Sequence, residues 1–226
     1  MTSGETPPPH HGPANRLVLR VTALIAAVLV GAAGGLFLGQ QSSKGDEPGP
    51  VDIGFAQDMS THHQQAVQMA TLARERSTDS AVRQLAFDIE TSQLEQIGRM
   101  KGWLVLWSAP EQAPGQVMAW MPAQAHPGMA MTMPGAQSGS LMPGMATSAE
   151  LGRLRSLSGA EFDVFFLQLM GWHHQGGSAM ASFAAQNATT PAVKTLAENI
   201  VNSQAAEVRT IGSMLSERGA QPLPAP

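Results

Sequence analysis

The sequence predicts an all-α protein in which two duplicated helical hairpins form a four-helix bundle. Two segments of the 226-residue chain, near 51–104 and 162–215, align without a gap at a constant offset of 111 residues, which indicates an internal duplication. In each segment, apolar residues recur at spacings of three and four, as on the buried face of an α-helix. A short connection with N-capping residues divides each segment into two helices, and short connections join antiparallel neighbours.

The N-terminal part of the chain is predicted to anchor the protein in a membrane. Residues 1–15 are rich in Pro, Gly and His and are expected to be a disordered cytoplasmic tail. No charged residue lies between Val21 and Gln41, so residues 16–41 suit a single transmembrane helix of about 20 residues. Arginines precede this run and acidic residues follow it, which places the N-terminus in the cytoplasm and the main domain outside. A cleaved signal peptide, giving a secreted protein, is the alternative.

Each duplicated segment carries one Met-x-x-His-His motif, which makes bound metal the first function to consider. On a helix, the methionine and the first histidine share a face and are separated by about 4.5 Å of axial rise, so both can reach one ion. The second histidine lies on the flank of the apolar stripe and is expected to serve a separate site or to pair with the methionine. Another methionine, seven residues after the first histidine, lies about 10.5 Å along the axis and is a poorer co-ligand or a packing residue. The candidate ligands are Met59, His62, His63 and Met69 in the first segment, and Met170, His173, His174 and Met180 in the second.

Histidines that merely satisfy a polar core layer are the competing interpretation of these motifs. The apolar stripe of the following helix is interrupted by polar residues, and buried polar groups need hydrogen-bond partners. We expect Gln96 and Glu207 on that stripe to orient the rings of His62 and His173, as outer hydrogen-bond partners orient metal-bound histidines. The repetition of methionine three residues before the histidine in both segments favours metal.

Residues 109–148 are predicted to be a flexible, methionine-rich insert in a bundle that spans 51–218. The insert holds seven of the fourteen methionines of the chain: Met118, Met121, Met129, Met131, Met133, Met142 and Met145. Several thioethers on a flexible strand suit the soft ion Cu(I), whereas packing of these methionines on the bundle is the alternative. The predicted accessory site for metal capture comprises His126, Met129, Met131 and Met133.

The composition of the chain restricts the possible metal ligands and gives no support for nucleic-acid binding. The chain has no cysteine, so any metal must be held by His, Met, carboxylate or backbone groups. Its net charge is −4 and its basic residues are scattered, which gives no indication of a nucleic-acid partner. No phosphate loop, nucleophile elbow or paired-carboxylate motif predicts an enzyme. Residues 42–50 are expected to be a linker before the bundle, and residues 219–226 a disordered tail after it.

The paired motifs resemble the DUF305 family. The family pattern of Phe, Met, His-His and Met-Ala is matched at Phe55, Met59, His62-His63 and Met69-Ala70, and again at Phe166, Met170, His173-His174 and Met180-Ala181. The resemblance covers about 51–107 and 160–216 and implies a ferritin-like helical bundle, usually exported or membrane-anchored. Because some similar members are periplasmic copper-binding proteins, it also implies copper, and the thioethers favour Cu(I).

The expected function is therefore extracytoplasmic copper sequestration or transfer by a binding protein that is not an enzyme. Its expected partners are the metal ion and, through the N-terminal helix, the membrane. The alternative is a membrane-anchored structural or interaction module, in which the histidines form a polar core layer without metal and the insert docks an unidentified protein.

Overall fold

Residues 47–122 and 142–225 are described by the computed structural model. Within these ranges the chain forms five α-helices and no strand, so the all-α prediction is confirmed. The helices are α1 (Pro50–Arg76), α2 (Ser80–Leu106), α3 (Ser148–Ser156), α4 (Gly159–Asn187) and α5 (Pro191–Glu217). The four long helices form the two predicted hairpins, α1 with α2 and α4 with α5. No helix in these two ranges is long and apolar enough to cross a membrane, and the predicted tail and anchor at 1–41 lie outside them.

The second helix of each hairpin begins at residues that the sequence marks as helix starts. The Asp79 side chain accepts hydrogen bonds from the backbone N–H groups of Ala81 and Val82 at 2.8 and 3.2 Å, which caps α2. Helix α5 begins with Pro191, whose fixed φ and missing N–H suit the first turn. These local signals explain why the hairpin turns fall where the sequence predicts them.

The buried carboxylate of Asp52 ties the start of α1 to the start of α5. It accepts hydrogen bonds from the backbone N–H groups of Gly49, Thr189 and Thr190 and from the Thr190 hydroxyl, at 2.7 to 2.9 Å. Burial alone raises the pKa of this carboxyl, but the hydrogen bonds from Thr189, Thr190 and Gly49 together outweigh burial and hold the pKa below its usual value. Asp52 is therefore a charged structural link between the two hairpins.

The two hairpins pack through α1 and α4, which run antiparallel. Residues near the start of α1 share a hydrophobic cluster with residues near the end of α4. This Phe55 cluster includes Phe55, Met59, Met100, Met180 and Ala184. A second cluster, the Phe166 cluster, includes Ala66, Met69, Val82, Phe166 and Met170. On both central helices, the His-His motif lies between the two clusters.

The two described ends of the insert pack against the bundle. Asp58 on α1 accepts hydrogen bonds from the Met118 backbone N–H at 2.7 Å and from the Trp120 indole N–H at 2.8 Å. Met118, Met121 and Met142 are only 2, 5 and 4% exposed and belong to the Phe55 cluster. These three methionines do not lie on a free strand, because Asp58 and the cluster hold both ends of the insert. The predicted capture residues lie outside the described parts of the chain, and their role stays a prediction: His126, Met129, Met131 and Met133.

Candidate metal centre

Four imidazole rings form a buried layer between the Phe55 and Phe166 clusters. His62, His63, His173 and His174 are all fully buried. The ring centroids of His62 and His173, one from each hairpin, are 3.8 Å apart with an interplanar angle of 37°. Each second histidine lies farther out, with its centroid 6.4 or 6.2 Å from that of its neighbour. His63 and His174 are buried although they are the outer pair, and Gln96 of α2 and Glu207 of α5 contact them.

Backbone carbonyls hold the two central rings. His62 Nε2 lies 3.0 Å from the carbonyl oxygen of Pro143, and His173 Nε2 lies 3.1 Å from the carbonyl oxygen of His62. A carbonyl oxygen only accepts hydrogen bonds, so Nε2 must carry the proton in both rings. The unprotonated nitrogen of each central ring is Nδ1.

Side chains from the second helix of each hairpin hold the two outer rings. His63 Nε2 donates to Gln96 Oε1 at 2.7 Å, and His174 Nε2 donates to Glu207 Oε2 at 2.5 Å. The expectation that Gln96 and Glu207 orient His62 and His173 is wrong, since both residues reach the second histidine of each pair. They do orient imidazoles of the layer, but not the central two.

Each of the four rings presents a buried Nδ1 atom without a hydrogen-bond partner among the described residues. A metal-bound histidine has this arrangement, with one ring nitrogen fixed by an acceptor and the other lone pair free. Each buried polar atom left without any partner costs about 1–3 kcal/mol. These Nδ1 atoms can therefore bind a ligand or water, and neutral nitrogen donors flanked by thioethers fit a borderline or soft cation such as copper.

The imidazoles do not complete a metal site by themselves. Within residues 47–122 and 142–225, no group of three or more His, Asp or Glu side chains is arranged to hold a metal ion. A metal ion bound in this layer would therefore need ligands other than His, Asp and Glu side chains.

Burial keeps His62, His63 and His173 neutral. Burial lowers the pKa of His62 to about 4 and that of His63 to about 3, and it holds the pKa of His173 well below the usual range. The neighbouring imidazoles lower these three pKa values further, because two charged rings at this distance repel each other. Neutral imidazole is the form that binds metal, so protons compete poorly for these ligands at neutral pH.

The predicted methionine ligands flank the layer on both sides. Met59 and Met180 belong to the Phe55 cluster, whereas Met69 and Met170 belong to the Phe166 cluster, and all four are fully buried. From each helix taken alone, we expect Met59 to reach one ion with His62, and Met170 with His173. The structure instead groups Met59 with Met180 and Met69 with Met170, because α1 and α4 are antiparallel and cross at the histidines.

Two buried glutamines that the sequence left without a role lie on α2 and α5, and Gln204 lies beside the histidine layer. Gln93 and Gln204, which are related by the duplication, are 2% exposed. A Cβ added to Gly177 would lie 2.9 Å from His62 Cε1 and 3.0 Å from Gln204 Oε1, so the Gln204 amide and the His62 ring meet at this glycine. The sequence does contain a signal for them: each is a polar residue on an otherwise apolar helix face, and the two are separated by the duplication offset of 111 residues.

The segment 142–146, at the end of the insert, places the carbonyl of Pro143 at the layer. A Cβ on Gly176 of α4 would lie 2.2 Å from the Pro143 oxygen, so only glycine permits this approach of backbone to helix. The Gln65 amide of α1 holds Ala146 through two hydrogen bonds, of 2.9 Å to its carbonyl and 2.6 Å from its N–H. Sequence reasoning missed this segment because its contacts join parts of the chain that are distant in sequence.

These features define a class of all-α protein with two duplicated hairpins around a buried histidine layer. The family model described as "Domain of unknown function (DUF305)" matches residues 52–215, and the chain belongs to this family. The match includes both hairpins and the insert, and it confirms the resemblance found in the paired motifs.

Solved structures show the same fold. A putative secreted DUF305 protein from Streptomyces coelicolor is 42% identical, with a TM-score of 0.67 over 77% of this chain and 97% of that chain. A DUF305 fragment from Deinococcus radiodurans is 34% identical, with a TM-score of 0.60 over 75% of this chain and 98% of the fragment. CopM in its Cu(II)-bound form is 28% identical, with a TM-score of 0.56 over 74% of this chain and 96% of CopM. No curated protein shows significant sequence similarity to the chain.

Proposed function

We propose that this chain is an extracytoplasmic metal-binding protein that sequesters or transfers copper through histidine and methionine ligands. The observation that carries the proposal is the set of four buried Nδ1 lone pairs, each on a ring whose Nε2 is already fixed. Binding rather than turnover is proposed, and the four long helices are taken as a ferritin-like bundle that supports the site.

The chemistry of the donors favours copper over hard cations. Magnesium and calcium require several oxygen ligands, whereas this layer offers neutral imidazoles with thioethers on both sides. Thioethers select soft ions such as Cu(I), and imidazole also suits copper. The similarity to CopM, which has been solved in a Cu(II)-bound form at 28% identity, supports the same metal.

The charge of the site favours a monovalent ion. Neutral imidazoles and thioethers do not offset the charge of a buried cation, and burying an uncompensated charge is costly. Glu207, which accepts the hydrogen bond from His174, is the carboxylate in contact with the layer. One buried positive charge is therefore offset through Glu207, which supports Cu(I) as the main form of the bound metal.

The N-terminal segment and the insert complete the proposal. The uncharged run at 21–41 supports a single-pass anchor, with the bundle on the outer side of the membrane. His126, Met129, Met131 and Met133 form the proposed capture site. The described residues on either side of it include Met121 and Met142, both in the Phe55 cluster next to the layer.

Copper retention by the full chain tests the proposal. The chain, purified in detergent and loaded under reducing conditions, should retain at least one equivalent of Cu(I) against a competing chelator. Replacing His62 and His173 together by Ala should remove that retention, whereas Gln57→Ala, at a buried polar residue of α1 outside the layer, should not. Replacing His62 and His173 together by Gln keeps side-chain donors for the two carbonyls and separates loss of ligands from loss of folding. Parent-like copper retention in the folded double variants would contradict the assignment.

The structural module remains the second candidate, and one observation favours it. Both central rings are already bonded to backbone carbonyls, as expected of histidines that satisfy a polar core. This function requires water at the Nδ1 atoms instead of metal. The metal content of protein purified without added metal distinguishes the two, since a module without metal should contain no stoichiometric copper even from copper-supplemented cells.

A further inference from the structure

The side chains of Gln93 and Gln204 have an unusual hydrogen-bonding state. Both are 2% exposed, yet neither the oxygen nor the nitrogen of either amide has a partner in the described parts of the chain. A buried polar atom without a partner costs about 1–3 kcal/mol, and such atoms are rare in native proteins. Two buried amides at duplicated positions therefore indicate that something other than these residues occupies the space beside them.

The position of Gln204 identifies that space. Its Oε1 and the Cε1 atom of His62 meet at the face of Gly177, where an added Cβ would lie 3.0 and 2.9 Å from them. Cε1 joins Nδ1, the ring atom with the free lone pair, to Nε2, which donates to the Pro143 carbonyl. An edge of a central histidine ring and an unpaired amide oxygen thus lie beside the same residue of α4.

The neighbouring polar residues of α2 and α5 behave differently. Gln96 and Glu207, three residues after Gln93 and Gln204, each accept a hydrogen bond, from His63 and His174 respectively. The two pairs therefore have separate roles. Gln96 and Glu207 orient the outer rings, whereas the amides of Gln93 and Gln204 have no partner among the described residues.

We propose that the amide oxygens of Gln93 and Gln204 are ligands for Cu(II), so that the histidine layer holds the oxidised ion as well as Cu(I). The inference rests on the proposed function and adds oxygen ligands to it. Cu(II) prefers nitrogen and oxygen donors, whereas thioethers bind Cu(I). With His62 and His173 each supplying Nδ1, the two amides supply the further ligands that imidazoles alone do not provide. Cu(I) uses imidazole and thioether and does not need the amides.

Separate titrations of the full chain with Cu(II) and with Cu(I) test this assignment. In the variant with both Gln93→Leu and Gln204→Leu, affinity for Cu(II) should fall at least tenfold, whereas affinity for Cu(I) should change less than about threefold. The visible and electron paramagnetic resonance spectra of bound Cu(II) should also change, since oxygen ligands are lost. Gln57→Leu, the same substitution at a buried glutamine outside the layer, should leave both affinities unchanged.

Single substitutions keep the test decisive if the double variant does not fold. Gln204→Glu, which retains an oxygen donor and adds charge, should match or exceed the parent in Cu(II) affinity. Gln204→Met, which replaces oxygen by sulfur at similar length, should lower Cu(II) affinity and leave Cu(I) affinity equal or higher.

Three results would overturn the inference. One is an unchanged Cu(II) affinity in the Leu variants, together with a higher melting temperature, as expected if the amides only hold water. Another is an equal loss of both ions. The third is a parent chain that binds Cu(I) but not Cu(II), which would leave the proposed function intact, whereas a parent that binds neither ion would remove both.

Discussion

In the first hairpin His63 faces the neutral amide of Gln96, whereas in the second hairpin His174 faces the carboxylate of Glu207. The candidate ligands of the two hairpins are the same, and so are the Nε2 hydrogen bonds and the unpaired Nδ1 atoms among the described residues. The side chains that accept hydrogen bonds from the outer histidines differ between the hairpins. Both hairpins retain a hydrogen-bond acceptor for Nε2 of the outer histidine, so the layer requires this acceptor. Only the second hairpin has a negatively charged acceptor, Glu207.

The contacts with the insert show a second difference. In α1, Asp58 and Gln65 bind the two ends of the insert by hydrogen bonds. The equivalent residues of α4, at the offset of 111, are Leu169 and Gly176. The first hairpin therefore binds the insert through polar side chains. In the second hairpin, Gly176 has no side chain, so the backbone of the insert can pack directly against α4.

The largest expected effect comes from Asp52, whose buried carboxylate links the hairpins. Asp52→Ala removes the acceptor of four hydrogen bonds and should lower the free energy of unfolding by about 4 kcal/mol. Asp163, its counterpart, has an Oδ1 atom without a partner in the described ranges, so Asp163→Ala should cost less than about 1 kcal/mol. Denaturant unfolding of both variants measures the difference, and equal losses would contradict the asymmetry.

The same link predicts a pH dependence. The pKa of Asp52 is lower in the folded chain than its ordinary value of 3.8. A carboxyl with a depressed folded pKa adds stability that is fully present above the unfolded pKa and is lost as pH falls through the folded pKa. The stability difference between the parent and Asp52→Asn should therefore be constant near neutral pH and shrink below about pH 4. A difference that grows on acidification would show that the charge of Asp52 does not stabilise the fold.

A smaller loss is expected where the insert approaches α4. Gly176→Ala places a Cβ 2.2 Å from the Pro143 oxygen, and it should cost about 2 kcal/mol because the backbone must move. Gly212→Ala, with no atom within 4 Å of its added Cβ, is the matched control on α5, and it should raise stability by about 0.5–1 kcal/mol. If both substitutions gave the same change in unfolding free energy, the close packing of segment 142–146 would be wrong.

The smallest expected effect concerns the charge difference between the outer rings. Glu207→Gln makes the two hairpins alike and should lower Cu(I) affinity about tenfold, since the lost carboxylate both orients His174 and offsets the charge of the ion. Gln96→Glu adds the carboxylate to the first hairpin and should raise affinity. Chelator competition measures the Cu(I) affinity of both variants. The double variant that carries Glu207→Gln and Gln96→Glu should have an affinity close to that of the parent. Unchanged affinities would show that the charges of residues 96 and 207 do not stabilise the bound ion.

Local features of the fold were readable from the sequence. The four long helices follow from apolar spacing, and Asp79 and Pro191 mark helix starts by interactions within one turn of the chain. The fixed offset between the two segments identified the four histidines as one set. These signals need only short stretches of sequence.

The partners across helices were not readable in the same way. Whether Met59 meets Met170 or Met180 depends on the relative direction of α1 and α4, which periodicity within a helix does not contain. The rotation of α2 likewise decides whether Gln96 reaches His62 or His63. The carbonyl of Pro143, which completes the His62 contact, belongs to a segment whose position depends on Gly176 and Gln65.

Nitrogen NMR of the histidine side chains tests the central claim most directly. In metal-free protein, the rings of His62 and His173 should carry the proton on Nε2 and show an unprotonated Nδ1. On addition of Cu(I), the Nδ1 shifts of both rings should move together while both Nε2–H signals persist. Protonated Nδ1 atoms before the addition, or Nδ1 shifts unmoved by bound copper, would contradict the account.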